Sequence, residues 1–405
     1  PAWIDTLVQD AARAPGRADV ASLEPLLVGR AIPVGLRWLA DAHALLRAAP
    51  PDSRTHSPVL HQAAAWLLRG FREAFRPVAQ RAADSNDNLR RAAILIDLGV
   101  AEGIGILSDG LLIEGFDVVD GEDFGAWLTR HGAAPASVNS AVVRGVYDFI
   151  FAYRHGDPTQ PALAAGVGLR CVLRLVMWYK GAIFWKMQAG MGDVVFAPLY
   201  LVLQARGVNF RFFQKVEQLG LSSDKQSIAT IRVGEQATLK APPYQPLCQV
   251  NGLACWPDVP FFDQLVQGQQ LQQQGIDLED PWADWAPVNR YTLQAGADFD
   301  RVILATSFAP LGEICQELIA AQPAWAPMMQ TVLTTQTQAF QLWMTPTLAN
   351  LGWPEGSTVL TAFAHPEETW SDMSQLIPRE AWPVNETPGS IAYSRKADRI
   401  GAYKV

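Results

Sequence analysis

The sequence predicts a mixed α/β (α+β) fold, and three observations predict it. Leucines at helical spacing, set among many alanines, run through residues 1 to about 93. At 185–234 a glycine turn, an apolar helix, a glycine stop and alternating strand formers follow one another. Further strand formers cluster at 291–294, 301–305 and 331–344. The 405 residues suffice for two domains and a large core. With 49% hydrophobic and 18% charged residues the chain is globular rather than disordered, and a net charge of −8 argues against a general nucleic-acid binder.

Taken in order, the first segment places Leu7, Leu23, Leu26, Leu27, Leu36, Leu39, Leu45 and Leu46 on apolar helix faces, with breaks at Ala14-Pro15-Gly16, Ile32-Pro33 and Pro50-Pro51-Asp52. Arg30, Arg37, Arg69, Arg72 and Arg76 read as a solvated face rather than a phosphate site. Gly103-Ile104-Gly105 lacks the third glycine and the acidic strand end of a dinucleotide fingerprint. It is expected to form a turn and strand leading to Gly115-Phe116-Asp117. Asp120 is expected to cap a helix over 124–131, anchored by Phe124, Trp127 and Leu128. Helices are expected over 138–153 and 162–185, with Ala164, Ala165, Gly166 and Gly168 allowing close approach. The aromatic residues Tyr147, Phe149, Phe151, Trp178, Tyr179, Phe184 and Trp185 read mostly as core, with a substrate-tunnel lining as the sharper alternative.

The stretch 185–234 is the organising one. Gly190 and Gly192 give backbone freedom for a turn, Asp193 is placed to cap the next helix, and Gly207 stands where a left-handed C-terminal cap belongs. A strand is expected from Val208 through Val216 to Leu219, and a second over 227–233. Residues 241–290 form an excursion with a hairpin turn at Asn251-Gly252 and a solvated glutamine-rich stretch at 264–274. A helix over 307–322 and strands over 331–344 and 358–363 follow. Asp372 is placed to cap a helix near Met373, and 394–405 reads as a polar, basic end.

The Gly-x-Gly turn, the helix ending Ala205-Arg206-Gly207-Val208, the continuation Lys215-Val216-Glu217-Gln218-Leu219 and the later Val302-Ile303-Leu304-Ala305-Thr306 together resemble the flavin-containing amine oxidase and phytoene desaturase superfamily. The resemblance covers about 300 residues. It implies a partial FAD/NAD(P)-binding Rossmann-like domain (186–240 and 291–325) and a large, mostly helical substrate domain (1–185, with strands and tail at 326–405). Residues 241–290 would be an insertion. FAD is the implied cofactor, with Gly190, Gly192, Val216, Ala305 and Thr306 as its implied contacts; Val216 would meet the adenine end through its backbone. Gln338 falls nearest the position where many amine oxidases of the superfamily carry a lysine facing the flavin. Gln338, Gln341 and Trp343 are therefore the flavin-facing candidates, and loss of the lysine shifts weight toward desaturation, dehydrogenation or isomerisation of a small, lipophilic substrate.

The implied function is an FAD-dependent oxidoreductase that moves hydride from a substrate carbon to flavin N5. The alternative is a degenerate, non-catalytic scaffold of the same fold. Pro1 has no methionine before it and no glycine-rich fingerprint opens the chain, so a fragment or processed piece is expected. His43, His56, His61, His131, His155 and His365 form no metal motif, and no metal is expected. Cys171, Cys248, Cys255 and Cys315 contain no C-x-x-C pair and read as buried reduced thiols of a cytoplasmic protein. A peripheral membrane contact is left open, because 171–185 is the most apolar stretch yet Arg174 and Lys180 interrupt it.

Overall fold

The computed structural model of the protein describes residues 57–397 apart from 182–183, 281–282, 336, 363–368, 381 and 383–385, with a few positions between 37 and 48. The leucines and breaks expected before residue 36, and the break at 50–52, lie outside the described residues, as does 398–405.

Two long helices, α1 (Pro58–Ser85) and α2 (Asp87–Ser108), form a hairpin around Asn86. The Asn86 carboxamide oxygen accepts the N–H groups of Asn88 and Leu89 at 2.8 and 3.3 Å, satisfying donors that a helix start leaves open. Phe71, Val100 and Ile104 pack between the two helices. The turn and strand expected near 103–105 are therefore corrected to helix. Gly105 serves packing rather than turning: a Cβ there would lie 2.2 Å from the Trp127 ring.

Trp127 belongs to α3 (Phe124–Arg130), capped by Asp123 and not by Asp120. The Asp123 carboxylate accepts from Gly125 N–H at 3.0 Å and Ala126 N–H at 3.3 Å. Phe124, Trp127 and Leu128 are buried, as their anchor role requires. The continuous helices expected over 138–153 and 162–185 are shorter: α4 (Ala141–Ile150) stops where Phe151 turns left-handed, and α5 (Ala165–Met177) stops before Trp178. Gly166 lets α5 approach the Phe116 carbonyl, and Gly168 admits the Phe124 ring.

A π-helical turn (Gly192–Phe196) runs into α6 (Ala197–Ala205), and Gly207, at φ 87°, ends it as expected. The strand expected from Val208 begins later, as β1 (Gln214–Leu221), because Phe213 turns to φ 58°. β1 pairs with β2 (Ile228–Glu235) across 222–227. The excursion holds the hairpin β3 (Cys248–Val250) and β4 (Leu253–Cys255). Its turn residues Asn251 and Gly252 take φ of 51° and 80°, the left-handed pair that matches strand twist. Helix α7 (Gly268–Gln274) buries Leu271, so the glutamine-rich stretch is only partly solvated. β5 (Asn289–Gln294) rejoins the sheet in the order β1-β2-β5.

Residues 301–305, expected as a strand, form no strand or helix, and Ile303 is 93% exposed. Short helices α8 (Leu311–Ile314) and α9 (Gln316–Ala321) replace the single helix expected at 307–322, and α10 (Trp325–Thr331) takes in the first residue of the strand expected from 331. The last sheet joins β6 (Thr337–Met344), β7 (Val359–Leu360), β8 (Thr369–Asp372) and β9 (Ser390–Ala397) in the order β6-β9-β8-β7. β9 is an interior strand and takes in 394–397 of the end that reads as polar and basic. Ser390 and Ser394 are buried there because their hydroxyls donate to the Pro346 and Thr369 carbonyls. All pairings between these strands are antiparallel and the helices are segregated from them, an α+β arrangement. No described helix is long and apolar enough to cross a membrane.

Candidate functional site

The segment 186–193 is the junction of three parts of the molecule. On one side the Lys186 ammonium donates to Ser357 Oγ and the Asp372 carbonyl and lies 3.3 Å from the Asp372 carboxylate. Gln375 donates to the Met187 carbonyl at 3.3 Å. On the other side the Asp193 carboxylate accepts the Trp256 N–H at 3.0 Å, tying the turn to the end of β4. Gly192 leaves room for the Trp256 ring, whose Cδ1 would stand 3.3 Å from a Cβ. Neither Gly190 nor Gly192 takes a left-handed φ. Their smallness admits neighbours; Asp193, expected as a helix cap, clamps the excursion instead.

Asp372, expected as a helix cap, accepts Ser374 N–H at 3.1 Å from one position before Met373, which holds the cap position of the 3₁₀ helix Ser374–Arg379. Burial pushes its carboxyl up, but Ser357, Ser374 and Lys186 together hold it below the usual range. Lys186 is the partner that sequence reasoning missed. Its only signal was a cation at the end of an apolar stretch.

The implied cofactor residues divide into separate places. Val216 and Leu304 pack in one apolar cluster with Leu219, Ile314 and Cys315, so Val216 and the Ala305-Thr306 end lie in one neighbourhood. Gly190 and Gly192 stand at the Asp193–Trp256 junction. Gln338 lies opposite Lys396 and Trp343 opposite Ile391 in the β6–β9 ladder, which is unbroken from Thr337 to Met344. Side chains alternate along a strand, so Gln341 and Trp343 share a face while Gln338 points to the other. The single flavin-facing surface expected of all three is corrected accordingly. Trp343 is exposed and its ring lies 6.1 Å from that of Trp382.

Of the implied cofactor contacts, Val216 is paired with Val233 in the β1–β2 ladder, and Ala305 and Thr306 are exposed. The surroundings of Gly190 carry the Asp193 carboxylate, the wrong sign for a pyrophosphate. The aromatic stretch read as core is corrected too. Tyr147 is buried, but Phe149, Trp178, Tyr179, Phe184 and Trp185 are exposed, Trp178 and Trp185 at 71% and 76%. The helix that would have turned them inward ends at Met177.

Two cavities lie in the excursion and are lined by none of the implied cofactor residues. One, of about 220 Å³, is walled by Phe212, Phe213, Tyr244 and Trp256. Its neighbour, of about 380 Å³, shares Asp258, Val259, Pro260 and Asp277 with it. All four cysteines are free thiols; Cys255 and Cys315 are buried, Cys248 is half-buried and Cys171 is exposed. No cluster able to hold a metal occurs among the described residues. No protein-family model, curated protein or solved structure matches the chain.

Proposed function

We propose that the chain is an FAD-dependent oxidoreductase of the amine oxidase and desaturase type, acting on a small lipophilic substrate in the cytoplasm. One observation carries this reading. The turn, α6, the Gly207 stop and the β1–β2 pair follow in the order of the resembling family, and Val216 comes to lie in one cluster with Leu304, beside Ala305-Thr306. On this reading 186–240 and 291–325 are parts of a Rossmann-like cofactor domain, and the helices up to Met177 belong to the substrate domain.

Val216, Ala305 and Thr306 would hold the adenine end through backbone groups. Bound flavin would supply the hydride-accepting ring. Gln338, a neutral amide, stands where a lysine is common in the family. The exposed aromatic residues after α5 give an apolar approach for a lipophilic substrate and for contact with a membrane surface.

A non-catalytic scaffold is the second reading. It is favoured by the placement of Gln338 and Trp343 on opposite faces of their sheet. The visible spectrum of the purified protein, before and after addition of FAD, separates the two. Bound flavin supports the enzyme, and a colourless protein that takes up no FAD supports the scaffold.

A further inference from the structure

The excursion at 241–290 builds a concave site that the flavin reading does not use. Phe212 and Phe213 reach it from the segment before β1, and Tyr244 and Trp256 come from the excursion itself. The rings are inclined to one another rather than stacked. Phe212 and Tyr244 meet at 5.3 Å and 60°, Phe213 and Tyr244 at 4.9 Å and 76°, and Phe212 and Trp256 at 6.3 Å and 51°.

This geometry is held from outside the cavity. The Tyr244 hydroxyl accepts the Phe261 N–H at 2.9 Å, and Asp193 fixes the Trp256 backbone at 3.0 Å. Asp258, Asp277 and Glu279 also line the cavity, while no lysine or arginine does. These three acids are exposed and have no ion-pair partner among the described residues.

Aromatic faces carry negative potential and attract a cation placed over them, most strongly where the cation is weakly hydrated. Carboxylates at the mouth add long-range attraction of the same sign. An anion would meet repulsion from both. A neutral apolar ligand would gain from the rings but nothing from the acids. The volume of about 220 Å³ lies below the range of roughly 300–1,000 Å³ typical of drug-sized ligands, so a small headgroup is the matching size.

We propose that this cavity binds a small organic cation of the quaternary or methylated ammonium class. The site stands apart from the cofactor residues, and the proposal does not rest on the flavin reading.

The test is titration of the full chain with choline and with 3,3-dimethyl-1-butanol, its uncharged carbon isostere, followed by calorimetry. Saturable choline binding, at least about tenfold tighter than the isostere and weakened by salt, is expected. Trp256→Leu should lower choline affinity about tenfold. Because Trp256 is also a packing residue, the exposed pair Asp258→Asn and Glu279→Gln provides the second arm. Those variants should keep the wild-type melting temperature and weaken choline about twofold to fivefold at low salt. Absence of saturable choline binding overturns the proposal. Equal binding of the neutral isostere, or choline affinity unchanged in both arms, overturns it as well.

Discussion

Glu102 and Asp109 sit about two turns of helix apart in the chain and respond to pH in opposite directions. Burial of Glu102 on α2 pushes its carboxyl up from 4.5 to about 7. A raised carboxyl pKa means the folded state holds a proton that the unfolded state releases. Stability should therefore fall as pH rises from about 4.5 to 7. Glu102→Gln removes that loss. It is expected to stabilise the protein by about 2 kcal/mol at pH 8 and to be neutral at pH 4, as read by denaturant unfolding.

Asp109 is the reverse case. Burial raises its carboxyl, but hydrogen bonds from Arg130, Trp127 and His131 outweigh burial and bring it down to about 2. The Trp127 indole donates at 2.8 Å, and two Arg130 nitrogens donate at 3.1 and 2.9 Å. With the folded value depressed, this stability is present above about pH 4 and is lost as pH falls toward 2. Asp109→Asn should cost about 2 kcal/mol at pH 7 and flatten the acid limb of the stability profile.

At the scale of elements, the contact that decides most is Lys186 with Asp372, because it joins the segment before the glycine turn to the last sheet. Lys186→Met leaves a mostly buried carboxylate without its cation. The expected cost is about 2–3 kcal/mol, measured as a lowered denaturation midpoint with unchanged m-value.

Elements set by local chemistry were legible in the sequence. Gly207 ends α6, Asn251-Gly252 turns the β3–β4 hairpin, and Phe124, Trp127 and Leu128 anchor α3. Elements set by tertiary demands were not. Gly103 and Gly105 read as turn formers, yet they lie within α2, where Gly105 makes room for a tryptophan that is distant in sequence. Ser394 reads as part of a polar end, and is buried because the Thr369 carbonyl accepts its hydroxyl proton. In the candidate site, motif order singles out Val216 and Ala305-Thr306, and Val216 and Leu304 pack against one apolar cluster. The opposite facing of Gln338 and Trp343 follows from strand period alone, once the register of β6 is known.

For the whole molecule, the exposed aromatic residues and the charge pattern bear on where it works. Between Asp157 and Asp193 the sequence holds Arg170, Arg174, Lys180 and Lys186 and no acidic residue, although the chain as a whole is at −8. Trp178, with Arg174 over its ring at 5.8 Å, and Trp185 are exposed in this basic, apolar stretch. Cosedimentation with vesicles containing phosphatidylserine should exceed that with neutral vesicles. Lys180→Gln should weaken it about fivefold, the effect of about 1 kcal/mol per cation near an anionic surface. Equal sedimentation with both vesicle types would remove the membrane contact from the account.

The claim on which the functional reading turns is that this polypeptide uses flavin. The most direct measurement is the visible absorption spectrum of the purified protein after incubation with FAD and removal of free cofactor. Protein-bound flavin bands that bleach when an oxidisable substrate or a chemical reductant is added are the expected result. A protein that remains colourless, with all FAD recovered in the filtrate, would contradict it.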